Sequence, residues 1–128
     1  MIPAVQATLD EWGKALHSGD PLAIAGFYAP AIDSYFGERN VSNAGVARSL
    51  ARSAARYGKT VVLRLSAIHI TPVGPDRASA TFHKSWQTTG KHVYSGETEE
   101  RVTLTRRANG WKISSEQETR VLWTRRAR

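Results

Sequence analysis

The stretch Ala78-Ser79-Ala80-Thr81-Phe82-His83-Lys84-Ser85-Trp86 carries the most telling chemistry of the chain. Its alternation reads as a strand, and one face of that strand holds Ala80, Phe82, Lys84 and Trp86. An ammonium between two large aromatics, on a face due for burial, is costly unless it is paired. Lys84 therefore either has a buried acidic partner or lines a pocket. The first candidate partner is Glu116, just after Trp111 and Ile113 on the last strand. A bulge at Ser114-Ser115 would turn it to the inward side. Such a pair would fix the geometry of the fold, or leave Lys84 to anchor an acidic ligand.

A second cluster is Tyr28, Asp33, Tyr35 and Glu38. Tyrosines beside a carboxylate can orient a polar ligand or work as an acid–base set. They can equally be amphipathic core residues whose hydroxyls reach water. His17, His69, His83 and His92 are scattered, without the spacing of a metal site, so no metal and no cofactor is expected. His83 is out of phase with Phe82 and Lys84 and belongs to the opposite face. Glu97 and Glu99 share one face and Glu100 points the other way; pairing with arginines across the sheet or a dimer is the expectation for this acidic patch.

These residues need elements to position them. Pro3 suits a helix start, and Val5, Leu9, Trp12 and Leu16 form one stripe at helical spacing, stopped by Gly19. Asp20-Pro21 opens a short second helix, closed by Pro30. Ile32 to Phe36 reads as a short extended piece ended by Gly37. Ser42 caps a third helix, with Val41 packing on Val46 as a staple. Its predicted buried stripe is Val46, Leu50, Ala54 and Tyr57, and Gly58 stops it. Four long strands follow, over about 60–71, 78–88, 92–107 and 111–123. The apolar phase slips by one near Ser66-Ala67, which predicts a bulge. Asn109-Gly110 is the strongest hairpin signal, and the tail after Trp123 is expected to fray.

Helices grouped before strands give an α+β domain, one domain over 1–128. With 18 basic and 11 acidic residues the net charge is +7. Arg48, Arg52 and Arg56 recur along the polar side of one helix, and the other arginines gather at strand ends. That is a solvated face, and no nucleic-acid-binding signature accompanies it. There are no cysteines, which excludes disulfides and thiol chemistry. No run approaches the roughly 18 apolar residues of a membrane span, and Met1 to Val5 lacks the features of a signal peptide. The compartment is left undefined.

The run Trp12…Ala15-Leu16-His17-Ser18-Gly19-Asp20…Phe27-Tyr28-Ala29-Pro30 resembles the opening of nuclear transport factor 2-like (SnoaL-like) domains. Asn109-Gly110-Trp111-Lys112-Ile113…Glu116 resembles their last hairpin. Tyr35-Phe36…Arg39-Asn40-Val41-Ser42 and Phe82…Lys84…Trp86…Gly90…Ser95-Gly96 are similar to a bacterial subset appended to serine/threonine kinases and L,D-transpeptidases. The resemblance implies a cone of three N-terminal helices on a strongly curved, mainly antiparallel sheet. It also implies a cavity between them and a homodimer formed through the sheet. In the steroid isomerase branch a tyrosine and a carboxylate base stand where this chain has Trp12 and Phe36. The His-plus-Asp set of the dehydratase branch is not evident.

The expectation is thus a non-catalytic accessory domain that binds a ligand or a protein. The candidate cavity residues are Trp12, Tyr28, Asp33, Tyr35, Phe36, Phe82, Lys84, Trp86 and Glu116. The ligand would be small and hydrophobic or acidic, and the crowd of aromatics predicts a small or nearly filled pocket. The alternative is a SnoaL-like isomerase, cyclase or dehydratase using acids such as Asp33 or Glu116.

Overall fold

In the computed structural model, residues 1–127 are described; Arg128, the end of the tail expected to fray, lies outside them. Helices α1 (Ile2–Ser18), α2 (Pro21–Ala25) and α3 (Asn43–Tyr57) precede most of a six-stranded sheet. The strands are β1 (Ala31–Tyr35), β2 (Glu38–Ser42), β3 (Thr60–Gly74), β4 (Arg77–Thr88), β5 (Val93–Arg107) and β6 (Gly110–Ala127). They are ordered β2-β1-β6-β5-β4-β3. Every pairing is antiparallel except β1 with β6.

Local chemistry sets the helix ends. Gly19 takes a left-handed φ of 74° and its N–H bonds the Ala15 and Leu16 carbonyls. Asp20 accepts from the Leu22 N–H at 3.1 Å, and Ser42 accepts from the Gly45 N–H at 3.0 Å. The α1 stripe Val5, Leu9, Trp12 and Leu16 is buried against the sheet.

Register shifts curve the sheet. One spans Ser66 to His69, where Ala67 has a φ of 52°. Another leaves Ser114 unpaired between Ile113 and Ser115, so Glu116 faces inward. Two expectations need correction. Ile32–Phe36 is half of a hairpin: Tyr35 pairs with Glu38 across a Phe36-Gly37 turn whose φ values are 47° and 88°. Both positive values fit the primed turn that matches strand twist. The tail is no loose end either, because β6 pairs with β5 as far as Val93 opposite Ala127.

The hairpin and the end of α2 are hung on β6. The Ala29 N–H donates to the Ile113 carbonyl at 2.8 Å, and the Ile113 N–H to Phe27 at 2.8 Å. The Phe36 N–H donates to the Glu116 carbonyl at 2.9 Å. These bonds bring Tyr28, Tyr35 and Phe36 alongside Glu116. At the other end, α3 stops at Gly58, whose backbone touches Gly90 in the β4–β5 turn.

Candidate functional site

The sheet and α3 enclose a cavity of about 680 Å³, with a second compartment of about 340 Å³ beside it. Leu16, Phe36, Leu50, Ser53 and Lys84 border both. The larger compartment is also lined by Ala54, Leu63, Trp86, Tyr57, Lys59 and Tyr94. The smaller one ends on Tyr28, Tyr35 and Glu116. These volumes exceed the small or nearly filled pocket expected from the crowd of aromatics. Trp12 and Phe82 pack edge to face 5.7 Å apart beneath it, in the core, and Phe36, which borders both compartments, is 41% exposed.

Lys84 does have a buried acidic partner, but it is Glu100 and not the expected Glu116. Its Nζ lies 2.5 Å from Glu100 Oε2, with the two side chains 16% and 0% exposed. The reason is strand order. β5 lies between β4 and β6, so Lys84 meets an acid on the neighbouring strand before it can reach one two strands away. Thr98 also donates to Glu100 Oε2, at 3.3 Å. Phe36 presents its ring 5.6 Å from the ammonium.

Glu116 accepts instead from the Tyr28 hydroxyl. Burial, and then the charge of Glu100, push its proton affinity well above the ordinary carboxyl value; Lys84 offsets only part of this. Glu100 Oε1 is buried without a hydrogen-bond partner among the described residues. Burial alone would lower the Lys84 value, but Glu100 and Glu116 reverse that, and the ammonium stays charged. Burial and Glu116 raise Tyr28 well above its usual value, and push Tyr35 up to about 12. The floor therefore brings together an ammonium paired with Glu100, a Glu116 carboxyl whose proton affinity is raised, and the phenols of Tyr28 and Tyr35. Such a set can donate to, or orient, a carbonyl or hydroxyl oxygen.

Of the residues singled out, the fold gathers Tyr28, Tyr35, Phe36, Lys84, Trp86 and Glu116 around the cavities. Trp12 and Phe82 lie in the core behind them. Asp33 is exposed on β1, away from both compartments. Glu100 is the residue that sequence reasoning missed. Its signal was its phase with Val102 and Leu104, both buried. Glu99 behaves as expected, meeting Arg120 at 3.4 Å and also His83 at 3.6 Å, while Glu97 accepts from Ser85. Among the described residues no three His, Asp or Glu side chains group as a metal site. No helix there is long and apolar enough to cross a membrane.

No family model matches the sequence, and neither does any curated protein. Solved structures do match. A protein of Streptomyces avermitilis, provisionally described as a dehydratase of the NTF2-like family, superposes with a TM-score of 0.77 at 18% identity, over 95% of this chain and 97% of its own. The hexachlorocyclohexane dehydrochlorinase LinA-type3 of Novosphingobium barchaimii gives 0.80 at 12% identity, over 97% and 88%. A domain of Xanthomonas campestris, provisionally described as a calcium/calmodulin-dependent protein kinase II association domain, gives 0.70 at 20% identity, over 89% and 83%. At such identities the likeness is one of fold, and the chain has the fold of the NTF2-like proteins.

Proposed function

We propose that this chain binds a small, mainly apolar molecule inside its cone, with an oxygen of that molecule directed at the polar floor. The observation that carries the reading is a cavity of about 680 Å³ that shares Lys84, Phe36 and Leu50 with a smaller compartment ending on Tyr28, Tyr35 and Glu116. That size and polarity pattern is typical of small-molecule sites.

A second reading, turnover of the bound molecule, is favoured by Glu116 alone. A carboxyl that keeps its proton beside Tyr28 can donate it to a carbonyl or a departing hydroxyl. The structural neighbours include proteins described as a dehydratase and a dehydrochlorinase as well as an association domain, so both readings have precedent on this fold. We also propose a homodimer through the outer face of the sheet, where Trp123 stands exposed.

The test of binding is calorimetric titration with 2-tetralone, a small bicyclic ketone, against the wild type and Ala54→Trp. Ala54 lines the cavity from the exposed side of α3, so the indole fills the void while the core stays as it is. Saturable binding to the wild type, lost in Ala54→Trp at unchanged melting temperature, is the expected result. Equal binding by both proteins, or by neither, refutes the cavity reading.

A further inference from the structure

Tyr57 and Tyr94, which line the larger compartment, carry guanidinium groups against their rings. Tyr57, the last residue of α3, stacks on Tyr94 of β5 with centroids 4.8 Å apart and planes at 26°. Trp86 meets the edge of Tyr94 at 5.7 Å. Over this pair lie two guanidinium groups. Arg56 sits 5.2 Å from the Tyr57 centroid, and Arg126 sits 5.8 Å from Tyr57 and 5.4 Å from Tyr94. Lys59, two residues after Tyr57, also lines the larger compartment.

None of these three cations has an acidic partner among the described residues. The acid of the larger compartment, Glu118, acts on Lys84 at the floor. Like charges brought together without a counter-ion repel, and the aromatic faces relieve only part of that repulsion. An anion placed beside these cations would relieve the rest. Lys84 is not available for that task, because Glu100 already neutralises it.

Resting on the reading that the cone holds a small molecule, we infer that its ligand is an amphipathic anion: an apolar body in the larger compartment, and a carboxylate or similar group held at the rim by Arg56, Lys59 and Arg126. The Tyr57–Tyr94 stack and Trp86 give a flat body an aromatic wall to lie against. Both guanidiniums are held over rings and can turn their N–H groups to the anion.

The experiment compares 2-naphthylacetate with 2-naphthylacetamide, which share one body and differ in charge. Each is titrated at low and high ionic strength into the wild type and into the double variant Arg56→Gln, Arg126→Gln. Exposed ion pairs contribute a factor of a few each, so the anion should bind about tenfold tighter than the amide at low salt. The gap should narrow as salt is added. In the double variant the gap should shrink to the factor of a few that Lys59 alone supplies, while the affinity for the amide is retained. Equal affinities in the wild type, or an undiminished gap in the double variant, overturn the rim site and leave the cavity reading standing. Failure of both naphthyl compounds to bind overturns the rim site too, and it reaches the cavity reading only when 2-tetralone also fails.

Discussion

Glu116 binds its proton more tightly than an ordinary carboxyl, because it is buried and faces the charge of Glu100, and this has a sign in the stability of the protein. Its folded value lies above the 4.5 of the unfolded chain. Below 4.5 both states are protonated there, and the stabilisation is fully present. As pH rises from 4.5 through the folded value, the unfolded state gives up its proton first and the stabilisation is lost. Tyr28, Tyr35 and Lys84 start from 10.0, 10.0 and 10.5 and are raised, so they leave this acid-to-neutral window untouched. Glu116→Gln removes the titration and keeps a group that can accept from Tyr28. Urea unfolding across pH 5 to 8 should therefore show the wild type losing stability relative to Glu116→Gln as pH rises. Parallel profiles would mean that Glu116 is an ordinary carboxylate. The inward turn of Glu116 was legible, because two consecutive serines after Ile113 invite a bulge. Its partner was not legible, because strand order decides which acid Lys84 meets, and no local pattern encodes strand order.

At the scale of elements, the helices were read well and the surroundings of α3 were not. Its stripe was expected to be buried, yet only Val46 is; Leu50, Ala54 and Tyr57 face the cavity. An apolar face at helical spacing states that water is avoided, and it does not distinguish a packed core from a ligand. The Phe36-Gly37 hairpin was missed because a phenylalanine rarely takes the left-handed position of such a turn. What holds α3 over the void is Gly58. Its φ of 86° and ψ of −172° suit glycine almost alone. A Cβ there would stand 2.4 Å from the Gly90 nitrogen, and one on Gly90 would stand 2.5 Å from the Tyr57 carbonyl oxygen. Gly58→Ala should cost roughly 1–3 kcal/mol from the backbone alone. It should also displace the end of α3 and break the Tyr57–Tyr94 stack. Denaturant unfolding together with the near-ultraviolet circular dichroism of the aromatics reads both effects. Unchanged stability with an unchanged spectrum would show that the α3 anchor lies elsewhere.

On the scale of the whole molecule, the order of helices and long strands was enough for the α+β class, whereas the cone was expected only from the resemblance to nuclear transport factor 2-like domains. The volume of the cone was not legible, since it depends on which aromatics turn into the core and which turn out. The outer face carries the remaining question. Trp123 stands opposite Glu97, which stands opposite Ser85; Ser85 alternates with Lys84, so all three lie on the side away from the cavity. Trp123 is 47% exposed there, beside the His83–Glu99–Arg120 row. Pairing two copies through this face would bury the indoles at its centre and leave the charged row as a rim, the usual anatomy of an interface. Two chains of net charge +7 repel at a distance, and salt screens that repulsion. Dimerisation should therefore tighten with added salt, the opposite of the anion bound at the cavity rim. Sedimentation should give twice the 14.1 kDa of one chain. Trp123→Glu should return the species to one chain with its thermal stability at high dilution unaltered. A wild type that stays at 14.1 kDa at both low and high salt would leave the outer face of the sheet as solvent-exposed surface and remove the dimer from the description of this protein.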